Sequence, residues 1–187
     1  MIDDVYVEQF VKREKTALNA MFNVFSIFAT VVIIIAINVV PILLGFNIIF
    51  FTGLISFGLG VLCWYINRRQ NVEYETSLTN DLFSVSRIIA ESKRELLADF
   101  NVRECERIAP LTADSFNDDL KRAEFVLNST KYRDYEISDS NWYCFVNSEG
   151  VKYIVIFEFK PKMYKAFRRY NPRNTFFMNI SDKEKEE

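Results

Sequence analysis

The chain has 187 residues, half of them apolar and 26% charged, with a formal net charge of −2 at pH 7 and a mean hydropathy of zero. Those averages describe an ordinary soluble domain, yet no Asp, Glu, Lys or Arg occurs between Lys15 and Arg68. Charge segregated in this way excludes a single soluble domain, a disordered chain and a secreted disulfide scaffold. It leaves a small membrane-anchored protein with a polar domain behind the anchor.

The near-neutral charge offers no basic field for nucleic acid. Cys63, Cys105 and Cys144 share no metal-ligand spacing, and an odd count argues against a disulfide framework. Cys105 and Cys144, in the polar part, suit a reducing cytoplasm. The apolar stretch starts too late and runs too long for a cleaved signal peptide.

Residues 1–19 are expected to form a cytoplasmic segment. Ile2, Val5, Tyr6 and Phe10 make a partial helical stripe opposed by Asp3, Asp4, Glu8 and Lys12, which suggests an interfacial helix. Residues 20–67 follow as a transmembrane hairpin. A helix needs about 20 apolar residues to cross a bilayer core, and the run accommodates two spans, 20–40 and 47–67. Pro41 and Gly45 punctuate the turn between them. Lys12, Arg13 and Lys15 precede the first span, Arg68 and Arg69 follow the second, and the turn has no cation. The positive-inside rule therefore places both termini in the cytoplasm of a multi-pass membrane protein.

Gly53, Ser56 and Gly60 recur at i, i+3 and i+7 on the second span, and Ser26, Ala29 and Ala36 hold a similar face of the first. Small residues let helices approach closely, so these faces predict hairpin packing or a homo-oligomer seam. Asn38 and Asn47, nearest the turn, suit interfacial hydration. The spans contain no ionisable acid or base for an ion path.

Residues 71–180 read as a cytoplasmic α+β domain. Strands are expected at 72–79, 82–90, 95–100, 104–108 and 124–127, and a hairpin at 142–147 and 151–159 around Ser148-Glu149-Gly150. Residues 111–122 predict a loop with a short helix. Pro161 before and Asn171-Pro172 after bound a helix over 162–170 whose apolar face is Met163, Tyr164, Phe167 and Tyr170. Residues 181–187 form a charged tail expected to be disordered. The fold class is thus a two-helix transmembrane hairpin followed by a mainly antiparallel β domain closed by a C-terminal helix. The expected sheet is one strongly bent sheet or open barrel, in the element order of a pleckstrin-homology-like domain.

Several segments resemble the bacterial membrane family known as domain of unknown function 6106. They are Tyr6-Val7-Glu8-Gln9-Phe10-Val11-Lys12-Arg13, Tyr74-Glu75-Thr76-Ser77-Leu78-Thr79-Asn80, Ser92-Lys93-Arg94 with Ala98-Asp99-Phe100, Ile108-Ala109-Pro110, and Met163 through Asn174. The resemblance implies a pleckstrin-homology-like cytoplasmic domain on paired membrane helices and carries no catalytic residue with it.

The chain has no histidine, which removes Ser-His and Cys-His dyads and the commonest metal ligand. Its five glycines form no phosphate loop. Asp114, Asp118 and Asp119 read as a solvated helix face, and Cys105 and Cys144 as buried strand cysteines. The expectation is therefore no enzyme, no metal and no cofactor. Lys160, Lys162, Lys165, Arg168, Arg169 and Arg173 form an acid-free cluster. It is either a solvated helix face or a contact for anionic lipid or an acidic protein partner. The function expected is a membrane-anchored binding module at the inner face of the cell membrane. The alternative is a small subunit of a transport or envelope-remodelling complex whose hairpin itself is functional.

Overall fold

The computed structural model describes residues 6–46 and 48–178. The expectations for Ile2, Val5, Asp3, Asp4, Asn47 and the charged tail lie outside the described residues. The chain divides into two compact units: Lys15–Val72 with Ile89–Glu91, and a second unit made of the N-terminal residues through Glu14, Glu73–Ile88 and everything from Ser92 onward.

The first unit is helical. α1 spans Ala17–Leu43 and α2 spans Ile49–Arg68, and both are long and apolar enough to cross a membrane. Pro41 is accommodated inside the last turn of α1, and the helix stops at Gly45, which adopts φ +79°. The Phe46 N–H donates to the Pro41 carbonyl and the Gly45 N–H to that of Ile42. This is a Schellman motif, and its left-handed position favours glycine. The half-buried positions are Asn19, Asn23, Ser26, Ala29, Thr30, Ile34, Ile37, Asn38 and Pro41 on α1, and Ser56, Leu59, Cys63, Asn67 and Arg68 on α2, with Thr52 buried beside them. Most of the polar side chains in the two helices therefore turn toward the seam. Asn38 Nδ2 donates to Ser56 Oγ at 2.7 Å, so it serves the helix pair rather than interfacial hydration, and the Ser26 hydroxyl lies 3.2 Å from Asn67 Oδ1.

The second unit contains two four-stranded sheets instead of the single bent sheet expected. In the first the order is β1-β2-β3-β4, with β1 Tyr6–Lys12, β2 Val72–Thr79, β3 Leu82–Ile89 and β4 Lys93–Asn101. β1 corrects the expected N-terminal helix. Val7, Gln9 and Val11 are buried while Tyr6, Glu8, Phe10 and Lys12 are exposed, the two-residue period of a strand. β1 pairs antiparallel with β2, Val7 opposite Leu78 and Lys12 opposite Glu73. Residues 6–12 therefore belong to this sheet rather than to a separate segment. Strands β1 and β2 are hydrogen-bonded neighbours, and the connection between them is the α1–α2 hairpin.

The second sheet has the order β5-β7-β8-β6, with β5 Cys105–Pro110, β6 Phe125–Asn128, β7 Asn141–Ser148 and β8 Val151–Glu158. β7 and β8 are joined by Glu149 and Gly150, both at positive φ, the two-residue turn whose twist matches paired strands. β6 runs parallel to β8, after the chain crosses over through α3, Phe116–Arg122. Both faces of this sheet are covered, which explains the nearly unbroken apolar runs of its central strands. On one face Tyr143, Phe145, Ile154 and Ile156 pack with Leu111 and Phe116. On the other, Phe157 lies 5.0 Å from the Phe83 ring of β3 and 5.8 Å from Phe167 of α4, which spans Pro161–Tyr170. The two sheets and the C-terminal helix thus share one aromatic core.

Candidate functional site

The basic cluster is built on α4 and the turn after it. Met163, Tyr164, Ala166 and Phe167 are buried, and Lys162, Lys165 and Arg169, at i, i+3 and i+7, share the exposed side. Arg168 is half-buried at the flank. Its Nη1 donates to the Pro172 carbonyl at 2.8 Å, and its guanidinium lies 5.7 Å from the Phe177 ring. The Tyr170 ring lies between two guanidiniums, Arg169 at 5.6 Å and Arg103 at 5.8 Å. Lys160 and Lys162 line a cleft of about 240 Å³ together with Tyr6, Val7 and Glu8 of β1. Arg173 lines a different cleft, of about 290 Å³, beside β5. The six cations therefore do not form one patch. They divide into a helix stripe, an arginine–aromatic cluster and two clefts.

Under the second cleft lies a polar network that the sequence pattern does not reveal. Asp118 is solvated and pairs with Lys121, but Asp119, one position on, is 1% exposed. Its Oδ2 accepts from Arg107 Nη1 and from the Tyr143 hydroxyl, each at 2.9 Å, and its Oδ1 from Arg122 Nη1 at 3.4 Å. The expected solvated face is thus wrong for Asp119, because β5 and β7 supply the charge and hydroxyl that let the carboxylate enter the interior. The Ser115 hydroxyl lies 3.0 Å from that of Tyr143. Burial pushes the Tyr143 phenol up to about 12, so it remains a donor to Asp119. Arg122 also reaches Glu106 at 2.9 Å, which accepts from Asn147 at 2.8 Å and faces Lys152 at 3.7 Å. The Asn147 hydrogen bond, followed by the charges of Lys152 and Arg122, holds the Glu106 carboxyl below its usual range.

The segment after α4 is tied to β5. Asn171 Nδ2 donates to the carbonyls of Val102 and Cys105, and the Thr175 hydroxyl donates to the Asn171 carbonyl. Ile108 N–H donates to the Asn174 carbonyl and Phe176 N–H to that of Ile108, so residues 174–176 extend the sheet edge.

A family model described as a bacterial PH-like domain, DUF6106, matches residues 3–177. The chain belongs to this family. No curated protein and no solved structure matches it. The DUF6106 match runs from before β1 through both apolar helices to the end of the strand-rich unit, so the interrupted β1–β2 pair lies wholly within it.

Of the helix-packing residues expected on α2 of this DUF6106 chain, only Ser56 lies on the α1–α2 seam, while Ser26 and Ala29 of α1 are half-buried as expected. Gly53 and Gly60 are exposed, and a Cβ added to either would meet nothing within 4 Å. The seam uses Thr52, Ser56, Leu59, Cys63 and Asn67, a register that shares Ser56 with the expected one and is selected by the Asn38 and Ser26 hydrogen bonds. Ala36, expected on the matching face of α1, is also exposed. Among the described residues, no group of three or more Cys, Asp or Glu is placed to hold a metal. Cys105 and Cys144 are free and buried. Burial drives the Cys144 thiol well above its ordinary value, which makes it a poor nucleophile.

Proposed function

We propose that the chain is a non-enzymatic, membrane-anchored module whose PH-like domain engages anionic lipid at the inner face of the cell membrane. The observation that carries this reading is the placement of two uncharged helices between hydrogen-bonded strands. Strands β1 and β2 must lie on the same side of any bilayer, and two crossings meet that requirement where one would not. Lys12, Arg13, Lys15, Arg68 and Arg69 flank the crossings on that side, which marks it as cytoplasmic. The Lys162–Lys165–Arg169 stripe then supplies the lipid contact, since a basic group near an anionic leaflet gains about 1 kcal/mol.

The test is amide hydrogen exchange on the full chain in nanodiscs. Residues 161–170 should be protected in discs containing anionic lipid compared with neutral ones, and the difference should vanish at high salt or in a Lys162→Gln, Lys165→Gln, Arg169→Gln variant. Equal exchange in both discs would overturn lipid engagement and return the stripe to a solvated face.

The second reading, a subunit of a transport or envelope-remodelling complex, is favoured by the outward position of Gly53 and Gly60, where a second helix could approach closely. Replacing both helices by unrelated apolar ones separates the two. Loss of function with membrane location retained supports the complex, and retained function supports the tethered module.

A further inference from the structure

We propose that the cleft formed by β5 and residues 173–176 is a binding site for a phosphomonoester, with Arg107 and Arg173 holding the phosphate. The proposal does not rest on the lipid-docking reading, because it uses a different set of side chains from the α4 stripe.

The cleft is lined by Glu106, Arg107, Ser115, Arg173, Thr175 and Phe176, among others. Its volume of about 290 Å³ is close to ten liquid-water volumes, roughly 30 Å³ each, enough for a phosphate and part of its ester. The walls are rigid. One is a strand, and the other is bound to it by backbone hydrogen bonds at Ile108 of 2.8 and 2.7 Å.

Arg107 is preorganised. Its Nη1 is held at 2.9 Å by Asp119, which is itself buried and oriented by Tyr143. The pair joins a buried carboxylate to a half-exposed guanidinium and fixes the direction of that guanidinium at the cleft. Arg173 is exposed and makes no hydrogen bond or ion pair with any described residue. The cleft lining carries two cations, Arg107 and Arg173, and one carboxylate, Glu106, with Asp119 behind Arg107. Arg107 and Arg122 engage Asp119, and Arg122 and Lys152 engage Glu106, so Arg173 is the cation left to meet an anion entering the cleft. Guanidinium forks match phosphate oxygens in geometry as well as charge. Phe176, 47% exposed, offers an apolar wall for the organic part of the ester.

The test uses the full chain in nanodiscs of neutral lipid. Unfolding is followed while inorganic phosphate is titrated against chloride at constant ionic strength, since a ligand that binds only the folded state raises the midpoint. In a second arm the discs contain phosphatidic acid and no free phosphate. Stabilisation by free phosphate assigns the site to a soluble ester, and stabilisation in the second arm alone assigns it to a lipid headgroup. In the responding arm Arg173→Gln should weaken the response by about tenfold in half-saturating concentration, a single charge-assisted contact. Lys165→Gln should leave it unchanged. Arg107→Gln should abolish it, but Arg173→Gln decides the matter because it leaves the Asp119 network intact. No Arg173-dependent stabilisation in either arm, or an equal effect of chloride, would overturn the proposal.

Discussion

The two units of this chain place polar and apolar groups in opposite ways. In the α1–α2 hairpin the side chains turned toward the partner helix are largely polar, with Asn38 bonded to Ser56 and Ser26 beside Asn67, while Phe25, Phe28, Ile35, Phe50 and Leu54 point outward. In the strand-rich unit Phe83, Phe145, Phe157 and Phe167 are fully buried and the surface is charged. The hydrophobic effect drives only the second arrangement. The first suits surroundings as apolar as the side chains themselves, where helix pairs gain from close packing and hydrogen bonds instead. The inversion is therefore the physical basis for proposing a membrane around one unit and water around the other.

The largest effect sharpens the boundary between the units. β1 precedes the helices in sequence but belongs to the water-facing unit, so a chain beginning at residue 71 lacks a sheet strand. Losing the burial of Val7 and Val11 alone removes about 1.5–3 kcal/mol each, and the bared β2 edge should promote aggregation. Replacing residues 15–71 with a short turn should instead give a soluble, cooperatively unfolding domain. Denaturant melts of the two proteins compare them directly, and equal stability would remove β1 from the fold.

Asp119 is a carboxylate buried inside the apolar-core unit, and the next two predictions try to break its network. Asp119→Ala leaves the buried Tyr143 hydroxyl without its acceptor and frees the half-exposed Arg107 and Arg122, and losing hydrogen bonds to a charged group costs about 1.5–3 kcal/mol. A loss under 1 kcal/mol in urea melts would show that water replaces the carboxylate.

Tyr143 gives a pH signature. Its folded-state pKa is raised to about 12 from an ordinary value near 10. Its contribution is therefore complete below pH 10 and is lost as pH rises from 10 through 12. Two pK units correspond to about 3 kcal/mol at most. Tyr143→Phe should flatten that alkaline limb, and an unchanged limb would assign it to other groups.

The smallest effect concerns the hairpin's inverted seam. Asn38→Leu removes one interhelical hydrogen bond, and such bonds in apolar surroundings are worth about 0.6 kcal/mol, reaching about 1.7. Thermal unfolding of the helices in detergent should drop by that much. Stabilisation would mean that apolar packing serves the seam better than polar pairing.

Local signals made most of the fold legible. Val72–Thr79 was readable to the residue, since β-formers end at Asn80-Asp81, and Glu149-Gly150 marked the β7–β8 turn. Pro161 and Asn171-Pro172 bounded α4 to within one residue. What escaped depends on partners distant in sequence. β1 carries its largest side chains, Tyr6 and Phe10, on the exposed face, and Gln9 interrupts the buried one. Its strand character becomes plain only beside β2. β6 was expected at 124–127 and lies at Phe125–Asn128, but its parallel pairing with β8 was not legible. Asp118 and Asp119 are indistinguishable in sequence, and only Arg107 and Tyr143, from other strands, separate a solvated carboxylate from a buried one. Within the candidate site the basic residues were visible as composition, whereas their division between a stripe, an aromatic cluster and two clefts follows from the turn after α4 folding back onto β5.

The most direct measurement concerns the proposed topology, a membrane hairpin inserted between paired strands. Single cysteines at Glu8, Phe46 and Ser148 can be labelled in intact cells with an impermeant thiol reagent. The background is Cys63→Ala with Cys105 and Cys144 retained, since these are 1% and 0% exposed. The account predicts labelling at position 46 from outside, and at positions 8 and 148 only after the membrane is opened. Labelling of position 8 or 148 in intact cells would contradict it, because β1 and the strand-rich unit must lie together on the inner side.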